Sequence, residues 1–440
     1  MAATRPGAPV IVDLLFLLAV AVMWLVIAYQ LALALAGSWL WRRTRGRDPL
    51  PANEDLDWPT LSVLIPAHNE ESVIERTLSS LLAQTYPADR LEILVISDAS
   101  TDRTAELVAT CGRKHPSVRL LEIPPGQGGR GKSAALNTGM RHVDGELVAI
   151  YDADNTPEPD ALKILVRELL LDRTLGAALG MFRTINRDRN LLTRFVNLET
   201  IAFQWIVQAG RWCLGRVSTL PGTNYVIRRE ILERLGGWDE QAIAEDSELS
   251  LRVYELGKFI KFVPSAVTWE QEPETLGVWL RQRTRWARGN NYVVAKFLRR
   301  RPRFQSKLIA FELVAFLALF YVFFAAIIVS DVLFVLCVTG LATANLAGPF
   351  NVVFVAAIGL FLLQLAHVAS FEGERVPAVL LTGILMYFTY CQLWIVVVIR
   401  ALYEDHVLRR EHVWDKTPRF PSPRTGELLP QAAPQRKESP

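Results

Sequence analysis

Membrane-length apolar blocks at both ends of the chain constrain it more than any other feature. From Val10 to Trp41 only Asp13, Gln30 and Ser38 interrupt an apolar run, and a helix needs roughly 20 such residues to cross a hydrocarbon core. A cleaved signal peptide is the competing reading. It fits poorly, because the run is long, Arg5 is the only charge before it, and the basic cluster follows instead of preceding it. Arg42, Arg43, Arg45 and Arg47 then place the next segment in the cytoplasm by the positive-inside rule. The expected location is the cell inner (plasma) membrane, with several passes and a cytosolic middle.

Three further runs, Leu308 to Val338, Asn351 to Ser370 and Val376 to Tyr403, also have spanning length. A tight turn at Ser330 and Asp331 would split the first and give four C-terminal spans. The basic tail (Arg400, Arg409, Arg410, Lys416, Arg419) would then return to the cytoplasm. Three simple spans leave it outside, against the charge rule. Asp331 and His367 read either as pathway residues or as a loop position and an interfacial His.

Between these blocks lies an ordinary soluble domain of about 220 residues, consistent with 51% apolar and 21% charged residues overall. The net charge of +3 sits in juxtamembrane patches, so nothing points to nucleic acid. The four cysteines have no paired spacing, which speaks against a zinc site or a disulfide framework. The expected organisation is an anchor (10–41), a basic segment and linker (42–59), a soluble domain (60–270), basic amphipathic interfacial helices (271–307), a membrane region (308–403) and a polar tail (404–440).

The soluble domain alternates buried-type runs with helical periodicity. Leu61 to Pro66, Leu91 to Ser97, Val118 to Ile123 and Leu147 to Tyr151 read as strands. Glu70 to Gln84, the stretch from Asp102 and Lys132 to Arg141 read as helices. This repetition predicts a mainly parallel sheet, and such sheets bind ligands beyond the carboxyl ends of their strands. Asp98 and Asp152 fall there. Asp152 and Asp154, two residues apart at a strand end, can point the same way because side chains alternate along a strand, and can hold Mg²⁺ or Mn²⁺ against a diphosphate, since Mg²⁺ binds through one or two carboxylates plus phosphate oxygens. An acidic turn before Pro157 and Pro159 is the structural alternative.

Gly126 to Ser133 (GQGGRGKS) satisfies the P-loop pattern and is followed by a strand ending at Asp152. A membrane-anchored P-loop ATPase is therefore a rival. It leaves Glu245, Asp246, Gln282, Arg285 and Trp286 without roles, and Pro124 and Pro125 intrude before the loop. On either reading the loop amides and Lys132 suit a diphosphate. Glu245, Asp246 and Glu248 open a helical stretch, where early carboxylates serve as caps or as a general base; Asp246 is the expected base. Gln282, Arg285 and Trp286, at i, i+3 and i+4, share a helix face suited to a departing diphosphate and a stacked sugar. A basic helix lying on anionic lipid is compatible with the same run.

The set IPAHNE (65–70), Asp98 in SDAS, GKSAALNTG (131–139), DAD (152–154), GTNYVIRRE (222–230), GGWDE with AED (236–246) and QRTRW (282–286) resembles the processive members of glycosyltransferase family 2. These include poly-N-acetylglucosamine, hyaluronan, chitin-oligosaccharide and cellulose synthases. The resemblance implies an α/β glycosyltransferase-A domain, with a mainly parallel, nucleotide-sugar-binding sheet, inserted between transmembrane helices. It implies an inverting, metal-dependent transfer from a UDP-sugar, UDP-N-acetylglucosamine before UDP-glucose, to extend and export a β-linked polysaccharide. His68, Glu70 and Asp98 would line the uridine site, with Lys132 and Arg285 also on the donor. Asp152 and Asp154 would serve the diphosphate and metal, and Asp246 would be the base. Gly222, Thr223, Glu245, Gln282 and Trp286 would border the acceptor. The implied partners are the donor, a glycan or lipid acceptor, membrane lipid and a small membrane subunit. Ala67 and His68 depart from the residues frequent in the first motif, and no cyclic-dinucleotide-sensing domain follows the membrane region, which makes cellulose a poorer match. A non-processive glycolipid synthase shares the motifs.

Overall fold

A computed structural model describes residues 8–51, 56–300, 302–341 and 350–410. The chain starts with α1 (Ala8–Thr44) and enters an alternating region. In order this holds β1 (Leu61–Ala67), α2 (Ile74–Leu82), β2 (Leu91–Asp98), α3 (Thr104–Lys114), β3 (Val118–Ile123), α4 (Lys132–Met140) and β4 (Leu147–Ile150). There follow β5 (Thr156–Pro157), α5 (Ala161–Leu171), β6 (Leu175–Thr184), α6 (Leu191–Ala202), a π-helical stretch (Phe203–Gln208) and α7 (Ala209–Gly215). The domain closes with β7 (Tyr225–Arg228), α8 (Arg229–Leu235), α9 (Glu245–Glu255), β8 (Phe259–Glu270) and α10 (Leu276–Arg300).

The expected strand and helix alternation is present. The first helix is shorter than its periodicity, because a turn occupies residues 71–73. The eight strands form one sheet in the order β3-β2-β1-β4-β7-β6-β8-β5. Pairing is parallel among β1, β2, β3 and β4 and between β6 and β8, and antiparallel where β7 meets β4 and β6. β1 and β4 are buried on both faces, as strands are when helices cover both sides of a sheet. The parallel start brings the ends of β2 and β4 to one edge on either side of β1. Antiparallel β7, with Tyr225 opposite Ile150, delivers residues 222–224 to that same edge.

The first apolar block, α1, packs on the π-helical stretch and α7. Gly37 of α1 lies against the Trp205 backbone, and Gly210 of α7 lies against Leu33, so small residues let these helices approach closely. α11 (Lys307–Val338) runs as one helix, without a break at Ser330 and Asp331; the side chains of those two residues lie outside the described set. α12 (Phe350–Ala369) is followed by α13 (Val376–Phe388) and α14 (Tyr390–His406). Three helical segments among the described residues are long and apolar enough to cross a membrane: Val12–Thr44, Val355–Glu372 and Val376–His406. The last is broken at Thr389, and it touches the soluble domain near its start, middle and end. Arg187 meets Glu374 at 3.2 Å, Tyr390 donates to Glu199 at 2.8 Å, and Arg288 donates to Asp405 at 2.6 Å. Lys416 and Arg419 of the tail lie outside the described residues.

Candidate active site

The first cluster stands at the ends of β1 and β2. Asp98 is buried, its Oδ1 accepts the Gly129 amide at 2.8 Å, and its carbonyl meets His68 Nδ1 at 2.6 Å. Gly128 passes so close to the Asp98 carboxylate that no side chain would fit there. The Glu70 amide donates to Thr104 Oγ1 at 2.7 Å. The expected donor residues His68, Glu70 and Asp98 are thus gathered under the glycine-rich loop. In that loop Gly126, Gly129 and Gly131 all have positive φ, conformations glycine adopts without strain.

At its other end the loop delivers Lys132 to a second cluster. The Lys132 amine donates to Asp152 Oδ1 at 2.6 Å and to the Gly222 carbonyl at 2.8 Å, and lies 3.7 Å from Glu245 Oε1. Burial disfavours its charge, but Asp152 and Glu245 outweigh that and raise its pKa. Lys132 in this structure neutralises the Asp152 and Glu245 carboxylates. The P-loop geometry is absent here, since the loop follows the edge strand β3 and its lysine turns to the end of β4.

Asp152 and Asp154 do not lie on a continued strand. β4 ends at Ile150, and residues 152–155 turn, with the Asn155 amide on the Asp152 carbonyl at 3.1 Å. The alternation argument therefore fails at this point. The Asp152 side chain is 32% exposed, whereas Asp154 is 2% exposed, with its carbonyl taking Arg76 Nη2 at 3.3 Å. Thr223, expected at the acceptor, is buried; its hydroxyl accepts the Asp152 amide at 3.0 Å and donates to Asn155. It braces the acidic turn, a role that no motif in the sequence marks, and Asn155 is a site residue that sequence reasoning missed.

Glu245 and Asp246 occupy the first two positions of α9, after an N-cap, Ala244, that has no side chain able to cap. Asp246 Oδ1 accepts the Ser247 amide at 2.6 Å, so it satisfies one of the free N-terminal N–H groups of α9, as an early carboxylate does. Burial pushes Glu245 up to about 7, against the lowering influence of Lys132 and with added repulsion from Asp246. Burial also raises Asp246, opposed by the Ser247 amide, Lys132 and Arg285. Gly222, at φ +86°, leaves only 3.1 Å between an added Cβ and Asp246 Oδ2. A carboxylate whose pKa is raised by burial is a stronger proton acceptor.

α10 supplies the remaining wall. Gly289 packs on Ala244, where a Cβ would come within 2.7 Å of the Ala244 Cβ, and this closeness holds Arg285, one turn earlier, within electrostatic reach of Asp246. Gln282 is half-buried and Trp286 is 44% exposed. Between them Arg283 is 1% exposed, with its guanidinium 4.0 Å from the Trp286 ring centre and 2.6 Å from Glu199 Oε2. Arg283 and Glu199 are further residues the motif reading did not single out. Arg283 stands inside QRTRW but off the expected face, and Glu199 has no sequence signal.

Among the described residues no cluster of three or more His, Cys, Asp or Glu is arranged to hold a metal by itself. The donor set nevertheless fits a hard divalent cation shared with phosphate oxygens, since such an ion needs only one or two protein carboxylates and Asp152 opens to the cleft.

The chain is 42% identical over 416 residues to a probable glycosyltransferase, YdaM, of Bacillus subtilis, covering 94% of this chain and 99% of that one. It is 30% identical over 236 residues to the poly-β-1,6-N-acetyl-D-glucosamine synthase of Staphylococcus epidermidis, covering 54% of this chain and 56% of that enzyme. Among solved structures, a mannosyltransferase from Pyrobaculum calidifontis, in complex with GDP-Man and Mn²⁺, superposes with a TM-score of 0.60 at 25% identity, covering 85% of this chain and 99% of that chain. The fold is that of the glycosyltransferase-A enzymes, which leaves the ATPase reading without support. The profile described as "Glycosyltransferase like family 2" matches residues 59–289, more than half the chain, and the protein is a glycosyltransferase belonging to that family.

Proposed function

We propose that the protein is an inverting, divalent-metal-dependent transferase that takes a sugar from a UDP donor, UDP-N-acetylglucosamine before UDP-glucose, and adds it to a growing β-linked glycan that the membrane helices export. The observation that carries this reading is the convergence of Lys132, Asp152, Gly222, Glu245 and Asp246 at one sheet edge, facing Arg285. Asp246 takes the proton of the acceptor hydroxyl as that oxygen bonds to the anomeric carbon. The bond from that carbon to the diphosphate breaks on the opposite side, and its electron pair leaves with the diphosphate. Lys132, released from Asp152, and Arg285 meet the leaving group. A Mg²⁺ or Mn²⁺ ion held at Asp152 and Asp154 would offset its charge. Asp152 is the carboxylate that reaches the cleft, and Asp154 stands behind it in the same turn.

The domain faces the cytosol in this reading, and α1, α11 and α12 cross the membrane. α13 and α14 lie along the membrane face of the domain, because the segment meets Arg187 near its start, α6 at its middle and α10 at its end. Three crossings bring the basic tail back to the cytoplasm, as the charge rule requires. The sugar choice rests on the named activity of the Staphylococcus relative.

The test is nucleoside diphosphate release from a panel of UDP-sugars and GDP-mannose by membranes carrying the protein, with Mg²⁺, Mn²⁺ or EDTA, followed by product sizing. Metal-dependent UDP release from UDP-N-acetylglucosamine with a polymeric product is expected. Activity with GDP-mannose alone, full activity in EDTA, or a single-sugar glycolipid would overturn the corresponding part.

A further inference from the structure

Glu199 of α6 collects three donors from two other helices. Its Oε2 accepts Arg283 of α10 at 2.6 Å and the Tyr390 hydroxyl of α14 at 2.8 Å, and its Oε1 accepts the Trp394 indole N–H at 2.9 Å. The Tyr390 hydroxyl in turn accepts the buried Trp279 N–H of α10 at 2.9 Å. Arg283 is held flat by this carboxylate, its charge 4.0 Å from the Trp286 ring centre and 5.9 Å from that of Trp394. The outward indole of Trp286 is therefore gripped from behind by a cation that is itself anchored through Glu199.

We propose that Glu199 and Arg283 are positioning residues for the acceptor: the Glu199–Arg283 pair, locked by Tyr390 and Trp394, orients Trp286 as the platform for the acceptor sugar. This rests on the reading that Trp286 borders the acceptor. The arrangement suits such a task. Arginine presents a planar guanidinium that stacks on an aromatic face while its edge bonds a carboxylate, and lysine offers no such plane. A partly buried carboxylate receiving several donors keeps one geometry, because each lost donor would leave a polar group unsatisfied. α14 thereby becomes part of the acceptor site, which gives the last apolar segment a role besides membrane contact.

The experiment compares Glu199→Gln, Arg283→Lys and Trp286→Ala in purified full-length protein, with a β-linked N-acetylglucosamine oligosaccharide as acceptor probe. UDP binding, hydrolysis of UDP-N-acetylglucosamine without acceptor, and transfer to the probe are measured for each. In Glu199→Gln and Arg283→Lys the acceptor KM is expected to rise about tenfold, as for loss of one charge-assisted contact, with UDP affinity and hydrolysis within about twofold of the parent. Unchanged acceptor KM in both, where Trp286→Ala raises it, would overturn the positioning role alone. If Trp286→Ala itself leaves acceptor KM unchanged, the assignment of Trp286 fails and the inference with it. Loss of UDP binding in both Glu199→Gln and Arg283→Lys would make the pair a general scaffold and reject the acceptor role.

Discussion

Lys132 and Asp152 face each other with Nζ 2.6 Å from Oδ1, and this pair ties the glycine-rich loop to the acidic turn after β4. In the proposed reaction a donor diphosphate and its metal enter between them, and the ion pair opens to admit them. Lys132→Ala should weaken donor affinity by about 1.5–3 kcal/mol, the worth of one hydrogen bond to a charged group. Asp152→Asn should lower turnover about 10²–10³-fold, the usual cost of removing a preorganised electrostatic group, and should blunt the response to Mn²⁺. Titration of UDP with Mn²⁺ in both variants checks the pair. Unchanged donor affinity in Lys132→Ala would remove the loop from the site.

Glu245 gives the protein a pH signature. Its pKa moves from an ordinary 4.5 to about 7 through burial. Between those values the folded protein keeps a proton that the unfolded chain has released, so stability falls as pH rises across that window. Asp246, also raised, adds in the same direction. Glu245→Gln should flatten the fall and raise the melting temperature at pH 8, measured by thermal unfolding in detergent. The parent's transfer rate should climb with pH over the same range as the carboxylate pair becomes able to accept a proton.

Placement of the tail follows from α14. Val407, 65% exposed just beyond the helix, should lie on the cytosolic side. In a variant lacking the native cysteines, Val407→Cys should react with a membrane-impermeant maleimide in inside-out vesicles and stay unlabelled in intact cells. Labelling from outside would mean that α13 and α14 cross the bilayer.

These sites were unequally legible in the sequence. The alternation that builds β1 to β4 is a local pattern, so Asp98 and Asp152 could be placed at strand ends from periodicity alone. Asp154 could not, because a turn and a strand continuation differ by the long-range bond from Asp152 to Thr223, 71 residues away. The same limit hid Glu199, whose partners lie 84 to 195 residues along the chain. Antiparallel β7 was equally silent, since a four-residue strand carries no direction in its composition. Hydropathy showed the last apolar run but not its break at Thr389, and only the contacts of Tyr390 and Asp405 show that both of its halves meet the domain.

Asp246→Asn separates chemistry from scaffold. Asp246 is the second residue of α9, and its Oδ1 accepts the Ser247 amide. The Asn carbonyl oxygen can keep that bond while losing all basicity. Loss of a general base lowers the rate by about 10²–10⁴-fold, so transfer should fall by that factor with UDP binding nearly intact, because the proposed donor contacts are Asp98 and Asp152, elsewhere on the sheet edge. Removing one of two repelling carboxylates should also lower the pKa of Glu245. If Glu245 can substitute as base, residual activity would then carry a more acidic pH limb than the parent's. A folded Asp246→Asn protein with near-parental transfer and an unshifted pH profile would reject Asp246 as the base. Glu245→Gln, compared in the same assay, would show whether its neighbour holds that role.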